Sequence, residues 1–101
     1  MINSGVKVTS DELKLVREIL HNLVPEREVW AFGSRVQKNS REYSDLDLVV
    51  LGETPLSLAQ RADLTEAFDE SDLPFRVDLV DWASANENFK KIIREKYVVV
   101  Q

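Results

Sequence analysis

The sequence predicts an α/β (α+β) domain in which helices pack on a small mixed β-sheet. Two observations carry this prediction. Segments with apolar residues at helical spacing alternate with short β-branched or aromatic runs, and their order is that of a layered domain with one sheet. With 101 residues, 44% of them hydrophobic, the chain is long enough to bury one core. We therefore expect a single domain over residues 1–101.

The first helix has clear signals at both ends. Thr9 and Glu12 stand at the two positions of a capping box, in which each residue bonds the backbone N–H of the other. Pro25 stands where the helix should end. We expect a helix over residues 10–24, and its apolar face would carry Leu13, Val16, Leu20, Leu23 and Val24.

The other elements follow from composition and from turn residues. Gly33 and Gly52 each close a short apolar run, and Pro74 precedes a third one. Between and after these runs, apolar residues recur with the spacing of a helix face. We expect strands over residues 28–32, 46–51, 75–80 and 97–100, and helices over residues 57–70 and 86–96.

Composition limits the class of protein. The net charge is −5, and binding to nucleic acid depends mainly on Lys and Arg that neutralise phosphates, so the chain alone is a poor nucleic-acid binder. The absence of cysteine excludes disulfides, thiolate catalysis and zinc–cysteine sites. No apolar run approaches the ~20 residues that span a bilayer, so we expect no membrane segment and a cytoplasmic protein.

Three aspartates suggest a catalytic site. Asp45 and Asp47 are two residues apart at the start of an apolar strand, so their side chains should project from the same face. Asp78 lies in the next apolar strand. Carboxylates gathered at the mouth of buried strands repel one another and lack solvation unless cations neutralise them.

Magnesium is the cation that suits such a cluster. Mg²⁺ takes carboxylate oxygens and completes its shell with water and substrate phosphates. Two ions held side by side clamp the entering and leaving oxygens of a phosphoryl displacement. We therefore predict that Asp45, Asp47 and Asp78 bind Mg²⁺, with two ions expected.

The turn before these acids offers a phosphate site. Gly33 lets the backbone approach a ligand closely, and exposed N–H groups at such a turn, with the Ser34 hydroxyl, suit a terminal phosphate. Arg35 follows and is expected to offset triphosphate charge. Each feature alone is usually an ordinary turn or cap. Their combination, in this order on successive strands, favours a nucleotide site.

At these residues the sequence resembles a known family. The segments at residues 31–35, 43–50 and 76–80 read AFGSR, YSDLDLVV and RVDLV. They resemble the polymerase β-like nucleotidyltransferase superfamily, and within it the minimal nucleotidyltransferase (MNT) proteins. The resemblance covers nearly the whole chain, because MNT proteins consist of little more than the catalytic core. One departure is that the stretch after Arg35 has no glycine.

The resemblance implies roles for these residues. Gly33 and Ser34 would hold the β- and γ-phosphates of ATP. Asp45 and Asp47 would bind the metal ions, and Asp78 would complete the metal site that activates the attacking hydroxyl. The reaction would be in-line attack on the α-phosphorus, with pyrophosphate leaving. The acceptor would be a HEPN-domain protein, which an antitoxin-type MNT partner adenylylates.

Three functions remain open at this point. The first is Mg²⁺-dependent transfer of a nucleoside monophosphate to a HEPN partner. The second is a catalytically silent nucleotide-binding subunit that neutralises its partner by complex formation. The third is transfer to RNA or to a small aminoglycoside-like alcohol, although the acidic composition argues against RNA. A domain this small could also form a homodimer or a hetero-oligomer.

Overall fold

The computed structural model describes residues 5–37 and 44–101 of the chain. In this part of the chain, helices pack on one four-stranded sheet, which confirms the predicted α+β class. The strands are β1 (Val29–Phe32), β2 (Leu46–Val50), β3 (Val77–Asp81) and β4 (Val98–Val99). The α-helices are α1 (Ser10–Leu23), α2 (Leu58–Asp69) and α3 (Glu87–Glu95).

The sheet is mixed, and its strand order is β3-β2-β1-β4. β1 pairs antiparallel with both β2 and β4, whereas β2 and β3 are parallel. Parallel neighbours need a crossover connection, and α2 provides it. The result is that β2 lies inside the sheet and that β2 and β3 begin at the same edge.

Local signals set the helix starts. Thr9 and Glu12 form the predicted capping box of α1, with their reciprocal bonds at 3.1 and 2.8 Å. Ser57 and Gln60 form a second capping box at the start of α2. None of the helices that the structure describes has the length and apolar character needed to cross a membrane.

The two faces of the sheet have different cores. Leu46, Leu48 and Val50 point into the larger core, which includes apolar residues of α1 and α2. Val49 points the other way and packs with Phe32 of β1 and with α3. Alternation along a strand means that Asp47 shares the face of Val49. The acidic side chain therefore lies on the α3 side, beyond the apolar cluster.

β3 departs from its prediction at both ends. It begins at Val77 rather than at residue 75, because Phe75 is buried beside the guanidinium of Arg35 instead of pairing in the sheet. β3 also ends at Asp81, one residue beyond the predicted bound. The buried Asp81 carboxylate pairs with Arg61 and accepts a hydrogen bond from the N–H of Leu56 at 3.0 Å.

Candidate functional site

The parallel pairing of β2 and β3 brings two of the predicted acids together. Asp47 and Asp78 are direct partners in the register, so their Cα atoms are neighbours across adjacent strands. Asp45 lies one residue before β2, with its side chain exposed to solvent. Asp47 is partly buried and Asp78 is exposed. The structure thus pairs Asp47 with Asp78 and places Asp45 near enough to raise the pKa of Asp47.

The glycine turn lies directly against this acidic edge. Phe32, the last residue of β1, pairs with Asp47, and Gly33 follows with a φ of +79°. A Cβ atom at position 33 would collide with a carboxylate oxygen of Asp47. Gly33 is therefore required both by its backbone angle and by its contact with the acid.

Ser34 belongs to a short 3₁₀ helix, Gly33–Val36, that follows β1. The sequence predicted a turn here, and the structure has a single four-residue 3₁₀ turn at that position. Its last bond runs from the N–H of Gln37 to the carbonyl of Ser34, at 3.1 Å. The turn is therefore ordered, and it begins beside the Asp47 carboxylate.

The acidic cluster makes ionisation of Asp47 less favourable. Burial, together with the charges of Asp78 and Asp45, raises the pKa of Asp47 from its ordinary value of 3.8 to about 6. Each cause acts by disfavouring the ionised carboxylate. A nearby cation would therefore favour the ionised form of Asp47.

Arg35 does not point outwards in the way that a phosphate ligand would. Its side chain is 5% exposed, and its guanidinium donates to the carbonyl oxygens of Ser44 and Lys7, each at 2.7 Å. The same group stacks on Phe75, 4.1 Å from the ring centre. Burial lowers the Arg35 pKa, and the charges of Glu12 and Asp45 oppose that effect. The predicted contact with triphosphate stays a prediction.

Two partners of Arg35, Phe75 and Ser44, were not predicted from the sequence. Phe75 was assigned to a strand because it is apolar and aromatic, and nothing in its spacing connects it with a residue forty positions earlier. Ser44 takes part through its backbone carbonyl, which has no sequence signature. The one general signal is that a buried Arg needs acceptors for its N–H groups. This rule indicates that partners exist but does not say which residues they are.

The acidic residues described at this site do not form a complete set of metal ligands by themselves. Within residues 5–37 and 44–101, no group of three or more acidic, histidine or cysteine side chains is arranged to hold a metal ion by itself. Mg²⁺ in phosphoryl-transfer sites uses one or two carboxylates and takes its other ligands from phosphates and water. The paired Asp47 and Asp78 meet that smaller requirement.

The chain is similar to known proteins over most of its length. A family model described as polymerase beta, nucleotidyltransferase, matches residues 14–101. The probable protein adenylyltransferase MntA of Haemophilus influenzae is 55% identical over 94 residues, which are 93% of this chain and 82% of that protein.

Solved structures show the same fold. A chain of a toxin–antitoxin complex with AMP-PNP matches with a TM-score of 0.72 and 26% identity, over 88% of this chain and 72% of that one. A chain of the tri-AMPylated Shewanella oneidensis HEPN toxin in complex with MNT antitoxin matches with a TM-score of 0.61 and 23% identity, over 88% and 71%.

The raised pKa of Asp47 predicts how stability depends on pH. The folded protein binds the Asp47 proton more tightly than the unfolded chain does, so this favourable contribution is full below pH 3.8 and is lost as the pH rises through 6. Asp47→Asn should therefore stabilise the metal-free protein at pH 7.5, by about 1 kcal/mol after allowance for solvent screening. Chemical denaturation at pH 7.5 and at pH 4 measures both values.

At pH 4 the same substitution should change the free energy of unfolding little, because the native carboxyl is then protonated. Asp63→Asn, in an exposed acid of α2, is the matched control. An equal effect of Asp47→Asn at the two pH values would contradict the electrostatic account.

Gly33→Ala tests the contact between the turn and the acid. The positive φ and the collision with Asp47 should together cost about 1–3 kcal/mol of stability. Gly52→Ala is the control, since Gly52 also has a positive φ, of 138°, but lies at the other end of β2. Both variants should unfold more easily, and only Gly33→Ala should shift the NMR signal of the Asp47 carboxyl carbon. An unchanged Asp47 signal would refute the contact.

Proposed function

The chain belongs to the MNT branch of the polymerase β nucleotidyltransferase family and is a nucleotidyltransferase, and we propose that it transfers AMP from ATP to a hydroxyl group of a HEPN-domain partner protein. Mg²⁺ is the proposed metal, with two ions, and the cytoplasm is the proposed location. The observation that carries the proposal is the contact of the Gly33 turn with Asp47, which is itself paired with Asp78.

The phosphate end of the proposed site is the turn at Gly33 and Ser34. Backbone N–H groups of a tight turn bind phosphate oxygens, and a glycine lets those oxygens come close. In the proposal, Gly33 and Ser34 hold the β- and γ-phosphates. The α-phosphate then lies over the acidic edge, because Gly33 directly adjoins the Asp47 carboxylate.

The acids fit Mg²⁺ by their chemistry. Carboxylate oxygens are its preferred protein ligands. The raised pKa of Asp47 reflects burial and the negative charges of Asp78 and Asp45, and a cation would offset both. Asp45, Asp47 and Asp78 are the proposed ligands, with triphosphate oxygens completing the shells. When bound, the metal supplies positive charge against the phosphates and the entering oxygen.

In the proposed reaction, the chain's own residues orient the pyrophosphate and accept the proton of the acceptor hydroxyl. The acceptor hydroxyl oxygen forms a bond to the α-phosphorus while the bond from that phosphorus to the bridging oxygen of the β-phosphate breaks. The turn at Gly33 and Ser34 holds the departing pyrophosphate in line. The exposed carboxylate of Asp78 faces the acceptor hydroxyl and takes up its proton.

The donor and the acceptor are supported by the relatives. The name of the 55% identical protein, probable protein adenylyltransferase, supports AMP as the transferred group and a protein as the acceptor. AMP-PNP, an ATP analogue, accompanies the toxin–antitoxin complex that is 26% identical. Together with the MNT resemblance, these support ATP and a HEPN partner. The net charge of −5 supports a protein acceptor over RNA, because RNA binding depends on Lys and Arg that neutralise phosphates.

The decisive variant is Asp47→Ala, tested with α-labelled ATP, Mg²⁺ and a HEPN-domain protein as the proposed acceptor. Loss of the central carboxylate should lower label transfer at least about 100-fold, because charge stabilisation in the transition state is lost. Asp63→Ala, which removes an exposed acid of α2, should transfer label like the unchanged protein. Size-exclusion chromatography should show that Asp47→Ala still binds its partner.

Full transfer by Asp47→Ala would contradict the proposed mechanism. No transfer by the unchanged protein with any nucleoside triphosphate, together with partner neutralisation that Asp47→Ala retains, would instead establish the silent binding subunit.

A further inference from the structure

The Arg35 side chain connects the three segments that carry the candidate site. Its backbone belongs to the Gly33–Val36 turn. Its guanidinium bonds the carbonyl of Ser44, the residue directly before Asp45, and stacks on Phe75, two residues before β3 begins. The guanidinium thus contacts residues just before β2 and just before β3, while the backbone of Arg35 belongs to the Gly33–Val36 turn, here called the phosphate turn.

A second pair of bonds ties this arrangement to the start of the described chain. The guanidinium donates to the carbonyl of Lys7, and the N–H of Lys7 donates to the carbonyl of Arg35, both at 2.7 Å. Arg35 is therefore held through its backbone and its side chain at once. Its orientation is fixed, and the guanidinium is directed into the protein.

We propose that Arg35 is a positioning residue, which sets the distance between the phosphate turn and the acids of β2 and β3 and does not bind the triphosphate. This inference rests on the proposed function for its kinetic consequence. A shift of ~1 Å in a reacting group can lower a rate about 100-fold. Buried groups that orient metal ligands typically alter metal affinity 10- to 100-fold when they are removed.

Lysine cannot replace Arg35 in this role. The guanidinium donates in two directions from one rigid plane and stacks on a ring with its face, whereas an ammonium group is a compact charge on a flexible stem. Arg35→Lys therefore keeps the positive charge and loses the geometry. Arg35→Gln removes the charge, and comparison of the two variants separates the roles.

Arg27→Lys is a matched control. Arg27 also donates to backbone carbonyls, those of Leu51 at 3.0 Å, Thr54 at 2.8 Å and Pro55 at 3.4 Å, and its side chain is only 14% exposed. These carbonyls lie beyond the opposite end of β2, away from the acids. Loss of this guanidinium should therefore lower stability without disturbing the site.

The experiment measures Mn²⁺ binding by electron paramagnetic resonance in the presence of AMP-PNP, together with thermal unfolding and steady-state AMP transfer. Arg35→Lys and Arg35→Gln should each weaken Mn²⁺ binding about 10-fold and lower kcat about 10- to 100-fold, with the KM for ATP changed about twofold or less. Arg27→Lys should lower the melting temperature and leave Mn²⁺ affinity and kcat unchanged.

Phe75→Leu provides a milder test, since it removes only the stacked ring and keeps the hydrogen bonds from Arg35 to the carbonyls of Ser44 and Lys7. It should shift Mn²⁺ affinity and kcat in the same direction by a smaller factor. A variant set in which Arg35→Lys behaves like the unchanged protein while Arg35→Gln raises the KM for ATP would overturn the proposal, because that result identifies a phosphate-binding charge. Equal losses in Arg27→Lys and Arg35→Lys would overturn it as well.

Failure of the proposed function gives a different result. If the unchanged protein transfers no AMP but Mn²⁺ binding weakens only in the Arg35 and Phe75 variants, the positioning role stands and the transfer reaction does not. If the unchanged protein binds no Mn²⁺ with AMP-PNP, both are overturned.

Discussion

The Asp47 carboxylate lies between a glycine turn and a second carboxylate, and the rest of the site depends on that position. On one side, any side chain at position 33 would collide with it. On the other, parallel pairing sets Asp78 beside it, and burial together with the charges of Asp78 and Asp45 raises its pKa. A folded protein tolerates such repulsion most readily where a bound cation relieves it. The unfavourable ionisation of Asp47 in the metal-free protein is thus what a cation-binding site would show.

The scaffold keeps this acidic edge open and fixed. α3 covers the apolar part of the same sheet face, where Val49 and Phe32 pack, and Asp47 lies beyond that cluster. The crossover through α2 makes β2 and β3 parallel, so their acids meet at one edge. In the proposed role, Arg35 then holds both strand starts against the phosphate turn. Ordinary core packing and one buried guanidinium together produce the geometry.

The acidic edge could be predicted from the sequence because strand periodicity is strict. Spacing put Asp45 and Asp47 on one face, and the apolar strand around Asp78 made it a neighbour. The inward path of Arg35 could not be predicted, since its described partners include backbone carbonyls and a distant ring. The pairing of Asp81 with Arg61 was likewise not predicted, because Arg61 lies twenty residues away on α2. Long-range contacts of single polar groups leave no periodic signal.

The most direct test of the central claim is a crystal structure with Mn²⁺ and AMP-PNP, in which anomalous scattering locates the metal. The account predicts Mn²⁺ bonded to Asp47 and Asp78 at about 2.0–2.3 Å, with the β- and γ-phosphates on the backbone of Gly33 and Ser34. Metal bound without Asp47, or phosphates bound away from the Gly33 turn, would contradict it.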